Sequence, residues 1–231
     1  CDEPRYLSEL KVAGGTMILD DAGLVYAGER DGNGRLTVTN KTFTVGGANT
    51  ITNARLVLRG NTVLGACELP GGKSPNCSLT VNDTGTKGAI LEVRDNAALT
   101  NRIHIGTSGI GAAYQYGGRV RSTAKGTNDG YIGQSGYGYY GLFGGDFSVD
   151  SWCGIGANKD SEGEFEQRGG TFTLTGNPLP ISRGGNGEYH MTGGVFTHTG
   201  TGSPAITLGN LSWGSAAIAA SLQRAARSAP T

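Results

Sequence analysis

Short apolar runs in which every second residue is polar dominate the chain. Leu36-Thr37-Val38, Phe43-Thr44-Val45 and Leu79-Thr80-Val81 have the two-residue period of strands with one buried face. Thr16 to Leu19, Leu24 to Tyr26, Ile51, Leu56-Val57-Leu58, Val63-Leu64, Ile90 to Val93 and Ala98-Leu99-Thr100 extend the rhythm. Asp31-Gly32-Asn33-Gly34, Asn40-Lys41 and Gly46-Gly47-Ala48-Asn49 break it with turn chemistry. Strands this short and this closely spaced suit a coiled β-ribbon better than a sandwich.

From Ile103 to Gly209 the runs fall into a repeat. Gly117-Gly118, Gly144-Gly145, Gly169-Gly170 and Gly193-Gly194 follow one another at a nearly constant step that shortens slightly along the chain, each with a β-forming residue close behind. Tyr140, Phe165 and Tyr189 stand four positions ahead of three of the pairs. Further ahead come Ile105-Gly106, Ile132-Gly133 and Ile155-Gly156, then Ile181-Ser182 and Leu208-Gly209. A fixed period in this range means stacked units, each too small to bury a core alone. The expected fold is all-β: a parallel β-solenoid (β-helix) with coils of about 25 residues, its strands paired from coil to coil at about 4.8 Å. Ile105, Ile132, Ile155, Phe147, Phe172 and Phe196 are expected to stack inward, with glycines at the corners.

Four segments follow from this pattern. Residues 1–13 form an N-terminal cap or edge strand, 14–100 irregular coils, 101–209 the regular Gly-Gly coils, and 210–231 a C-terminal helix or tail. Ser215 is placed to cap a helix over 216–227, where Ile218 and Leu222 are four apart and Arg224 and Arg227 sit near the end. That helix serves either to cap the solenoid or to dock one protomer onto another.

Composition narrows the function. Forty-two glycines without a Gly-X-Y period exclude collagen, and 19 basic against 19 acidic residues do not make a disordered polyelectrolyte. No basic cluster exists to neutralise nucleic-acid phosphates or hold an anionic membrane, and no apolar run approaches a bilayer span. The chain opens on Cys1 without Met, which fits a removed signal peptide, a lipoprotein anchor or a piece of something longer.

The run from Gly169 to Gly176 (Gly-Gly-Thr-Phe-Thr-Leu-Thr-Gly), its echo at 193–200 and Leu36 to Asn40 resemble β-solenoid passenger regions of bacterial autotransporters and related secreted repeat proteins. Over 14–209 the resemblance implies an extracellular or cell-surface, secreted protein of structural or adhesive function.

Candidate chemistry is sparse. Cys67 and Cys77 bracket a turn-rich insertion that a disulfide closes readily, with free thiols as the alternative; Cys1 and Cys153 pair only if the N-terminus folds back. Three scattered histidines offer no metal set, and no cofactor motif is present. Asp160, Glu162, Glu164 and Glu166 alternate along one segment, reading as a charged outer face rather than an acid–base pair. Tyr131, Tyr137, Tyr139 and Tyr140, with Phe143, form the candidate binding group, suited to stacking on sugar rings or contacting a protein. The expected function is therefore a non-catalytic extracellular structural or adhesive solenoid, a filament or surface-layer protomer, whose partner is a second copy or surface glycans and proteins. The alternative is a polysaccharide-active lyase or hydrolase on a right-handed β-helix, resting on fold analogy.

Overall fold

The computed structural model describes residues 5–7, 11–20, 36–39, 43–45, 48–65, 78–122, 130–150, 152–176, 179–200, 206–209 and 222–224. Chain order is β1 (Arg5–Leu7), β2 (Lys11–Ala13), β3 (Thr16–Asp20) and β4 (Leu36–Thr39). Next come β5 (Phe43–Val45), β6 (Ala48–Thr52), β7 (Arg55–Arg59), β8 (Val63–Gly65), β9 (Ser78–Val81) and β10 (Ala89–Val93). The long β11 (Ala98–Ile105) leads to β12 (Ile110–Gln115), β13 (Arg119–Ser122), β14 (Gly130–Ile132) and β15 (Tyr137–Leu142). The regular coils continue with β16 (Asp146–Val149), β17 (Cys153–Ile155), β18 (Glu162–Gln167), β19 (Thr171–Leu174), β20 (Leu179–Ile181) and β21 (Asn186–Met191). The last strands are β22 (Val195–His198), β23 (Ile206–Leu208) and β24 (Leu222–Arg224).

Parallel pairing sorts these strands onto three faces of a solenoid. The first face stacks β1, β5, β8, the first half of β11, β13, β16, β19 and β22. On the second are β2, β6, β9, the second half of β11, β14, β17, β20 and β23. The third face is nine-stranded, ordered β24-β21-β18-β15-β12-β10-β7-β3-β4. Coil size follows from register: the successive partners Ala112, Tyr139, Glu164 and Glu188 repeat, step for step, the spacing of the Gly-Gly pairs. The step from Arg55 to its partner Ile90 is longer because the 67–77 insertion lies between them.

The core is a set of columns. Ile105, Ile132, Ile155 and Ile181 are in register on the second face, each at most 2% exposed. On the first face Phe147 stacks on Phe172 with ring centroids 5.1 Å apart, and Phe172 meets Phe196 edge-on at 5.2 Å. Opposite them Tyr140, Phe165 and Tyr189 form a second column at 5.2 Å spacing. Each buried aromatic removes on the order of 150–250 Å² from water, so these two columns carry much of the apolar burial in the regular coils.

The corners explain the paired glycines. A side chain on Gly169 would meet the carbonyl of Phe143 in the coil below at 2.4 Å, whereas Gly170 has φ +66° and a side chain there would lie equally close to Gly145. Backbone approach requires the first glycine and left-handed conformation the second.

Three expectations are adjusted. Of the two forms allowed for residues 1–13, strands form at Arg5–Leu7 and Lys11–Ala13. The boundary drawn at 100/101 falls inside β11, which serves two faces. Within the expected helix 216–227, Leu222–Arg224 is instead a strand paired with β21. Helix propensity and an i, i+4 apolar pair are weak local preferences, and the unpaired backbone of β21 offers the segment a ladder of hydrogen bonds. Leu24–Tyr26, the Asp31–Gly34 turn and Ser215 lie outside the described residues.

Candidate binding face

The expected aromatic group is divided by the strand alternation. Tyr140 points inward from β15 and is 1% exposed, so it belongs to the core and not to a binding surface. Its hydroxyl donates to Gln115 Oε1 at 2.7 Å. Tyr137 and Tyr139, one pleat away, face outward on the third face, while Tyr131 lies on the second. There Tyr131 contacts His104 and Trp152 edge-on, each at 5.6 Å, and the Arg183 guanidinium lies 4.8 Å from the Trp152 ring.

The third face holds the larger cluster. Parallel register places each outward side chain directly above its counterpart one coil away. Tyr116 and Phe143 stack with centroids 5.1 Å apart and planes 15° from parallel. Arg94 covers the other side of Tyr116 at 4.7 Å, and Arg168 lies 5.5 Å from Phe143. The four residues form one ladder, cation–ring–ring–cation, along the solenoid axis. Beside it, Tyr114 lies 6.4 Å from Tyr116 and 5.4 Å from Tyr139. Gly141 makes this possible: a side chain there would lie 2.6 Å from the Phe143 ring and 2.9 Å from the Tyr139 hydroxyl.

Carboxylates close the cluster at both ends. Glu92, with a side chain 6% exposed, pairs with Arg55 and Arg94. Towards the C-terminus Glu162, Glu164 and Glu166 alternate outward on β18, and Asp160 sits exposed in the preceding turn. Tyr139 donates to Glu166 at 2.6 Å, and Tyr137 reaches Glu164 at the outer limit of 3.5 Å. Glu166 also accepts from Arg168 Nε at 2.7 Å. Although burial pushes the Glu166 carboxyl up, these hydrogen bonds outweigh it and hold the group below the ordinary glutamate range. Burial first, and the Glu166 hydrogen bond second, push the Tyr139 hydroxyl well above the ordinary range, so it stays a donor.

This geometry alters what the surface can recognise. Ring faces are occupied by neighbouring rings and guanidinium groups, so the ladder offers solvent ring edges, hydroxyls and carboxylates. Exposed apolar surface gathers in the same place, with Ile110 44%, Tyr116 46% and Tyr137 38% exposed. Such a surface suits protein contact better than stacking on sugar rings.

The candidate group read from the sequence leaves out Tyr114, Tyr116, Arg94 and Arg168. Their signal lies in the repeat: the steps that separate the Gly-Gly pairs also carry Tyr116 to Phe143, Arg168 and Thr192. Cys153 is buried on β17, whereas Cys1, Cys67 and Cys77 lie outside the described residues. Among the described residues no group of three His, Cys, Asp or Glu side chains is placed to hold a metal, and no helix is long and apolar enough to cross a membrane. Searches of protein-family models, curated proteins and solved structures gave no match to this chain.

Proposed function

We propose that this β-solenoid is a non-catalytic structural or adhesive rod of the extracellular or cell-surface kind, as the resemblance to autotransporter passengers implies, and that its third face is the contact surface. The observation that carries the reading is the Arg94–Tyr116–Phe143–Arg168 ladder. Its arginines lie over rings and pair with Glu92 and Glu166, and two of the β18 carboxylates, Glu164 and Glu166, take hydrogen bonds from Tyr137 and Tyr139. General acid–base work needs two carboxyls in contrasting environments around a reacting group. Side chains that stiffen an outer face and present a flat mixed surface instead suit a load-bearing or adhesive part.

Two measurements test the reading. Adhesion of the purified protein to immobilised extracellular proteins and glycans is expected to favour proteins, and to fall at least tenfold with Tyr116→Ser and Tyr137→Ser together. Incubation with acidic and neutral polysaccharides, followed by reducing-end and unsaturated-product absorbance, is expected to give no product. Turnover that disappears in Glu164→Gln overturns the proposal and supports the lyase or hydrolase alternative.

A further inference from the structure

The two ends of the solenoid are built differently. At the C-terminal end all three faces stop at one level, with β22, β23 and β24 pairing only back onto β19, β20 and β21 among the described strands. Among the described residues the inward columns lose cover there. Leu208 continues the register of Ile155 and Ile181 yet is 57% exposed, against 0% and 1% for those two. Phe196, next in line after the buried Phe147 and Phe172, is only partly covered.

At the N-terminal end the faces are stepped. The first and second faces end at β1 and β2, but the third continues one strand beyond β3 to β4. In chain order β4 follows β3 and precedes β5, so here alone the described strands depart from the first–second–third rotation. The departure makes the interval between the register partners Thr16 and Arg55 the longest on the third face. One extra strand adds a step of about 4.8 Å on one side of three.

From this stepped end we infer that β4 is a stop that keeps a second copy of this chain from stacking head to tail. The inference rests on the rod reading above but not on what the third face binds. The polarity is heterologous: β22, β23 and β24 of one copy would continue onto β1, β2 and β3 of the next, and repetition would give an open filament. β22 and β23 can meet β1 and β2 only when β24 meets β3, and β4 already occupies that place. Unpaired parallel edges associate unless something fills, charges or covers them. The occupant suited to the open C-terminal end is therefore the N-terminal end of another copy, because it supplies parallel edges of the same polarity on all three faces once β4 is displaced.

The test replaces residues 21–42 by Gly-Gly-Thr, the corner used at Gly169-Gly170-Thr171, because Asp20 shares the register of Arg168 and Phe43 that of Phe172, so that β3 runs directly into β5. A second variant keeps the segment but breaks β4 with Thr37→Pro and Thr39→Pro. Circular dichroism and a cooperative urea transition check folding; if the deletion does not fold, the proline pair decides. Sedimentation and electron microscopy are expected to show wild type at a mass independent of concentration. Either folded variant should form rods in multiples of the protomer length, about 40 Å from the strand spacing. Adding Leu208→Lys to a variant should return it to single protomers, which separates end docking from unspecific aggregation. Folded variants that stay single, wild type that forms rods unaided, or rods indifferent to Leu208→Lys would each overturn the inference. Loss of adhesion with an intact assembly response, or the reverse, tells failure of one proposal from failure of the other.

Discussion

The Tyr140 hydroxyl donates to Gln115 Oε1 in the coil below, and the Gln115 amide nitrogen donates in turn to the carbonyls of Gly118 and Asp146. One side chain thus ties two successive Gly-Gly corners to the aromatic column. Gln167 repeats the arrangement, accepting from Tyr189 and donating to Gly170 and Val195. Leu142 takes the Gln115 position one coil on, so Gln115→Leu fits sterically but strands a buried hydroxyl. Gln115→Leu and Tyr140→Phe are each expected to cost about 1–3 kcal/mol, because each leaves a polar group unsatisfied. Together they should cost less than their sum. Urea denaturation of the four proteins in a double-mutant cycle measures this; strict additivity would show that the bond contributes nothing.

Gly133 makes a stricter demand. Its φ is +71°, and a Cβ there would lie 2.0 Å from the Glu162 carbonyl oxygen. Gly133→Ala combines left-handed strain with backbone overlap and is expected to cost about 3 kcal/mol or more. Ser182 holds the same corner at a later repeat with φ 58°, where its hydroxyl accepts from Gly187 N at 2.8 Å and donates to Gly187 O at 3.0 Å. Ser182→Gly exchanges strain relief for those two bonds, so its thermal midpoint should stay within a few degrees of wild type, corresponding to about 1 kcal/mol. A Gly133→Ala midpoint equally near wild type would contradict the corner geometry.

The regular step between Gly-Gly pairs contains most of this architecture, because glycine at a corner and apolar residues at inward points are local requirements that each coil repeats. Even Ile181-Ser182, the departure from the apolar-Gly pattern, keeps the left-handed corner. Side is harder to read than strand. Tyr139 and Tyr140 are adjacent tyrosines, and composition cannot say which of them points in; the spacing shared by Tyr140, Phe165 and Tyr189 does. What the sequence lacks is any mark for non-local choices. Nothing in Leu36–Thr39 tells it to pair outside β3, and nothing in Leu222–Arg224 tells it to leave a helix for the edge of β21. Both strands form where an existing edge recruits them.

The Glu166 carboxyl predicts a pH dependence whose sign follows from its lowered pKa. Its unfolded value is about 4.3. A group whose folded value is depressed contributes stability that is complete above the unfolded value and is lost as pH falls through the folded one. Glu166→Gln removes that contribution, so the variant should be less stable by a constant amount from about pH 6 to 8, with the gap narrowing below about pH 4. Denaturant midpoints of both proteins across that range check it. A gap that widens in acid would mean that the hydrogen bonds from Tyr139 and Arg168 do not favour the charged form.

Tyr116 stands between Arg94 and Phe143, so its ring connects two coils on the outside as Tyr140 and Phe165 do within. Tyr116→Ala breaks one ring–ring contact and one cation–ring contact and is expected to cost about 1–2 kcal/mol in all. Tyr116→Phe keeps both and should be nearly neutral, whereas Tyr116→Leu keeps apolar bulk but loses the ring–ring and the cation–ring contact and should fall between. The cation contribution weakens with screening only where it is exposed to solvent. Repeating the series at about 1 M salt should therefore shrink the difference between Phe and Leu while leaving that between Leu and Ala in place. If Phe and Leu prove equally stable at low salt, the ladder is held by apolar contact alone, and Arg94 and Arg168 are held in place by Glu92 and Glu166 rather than by the rings.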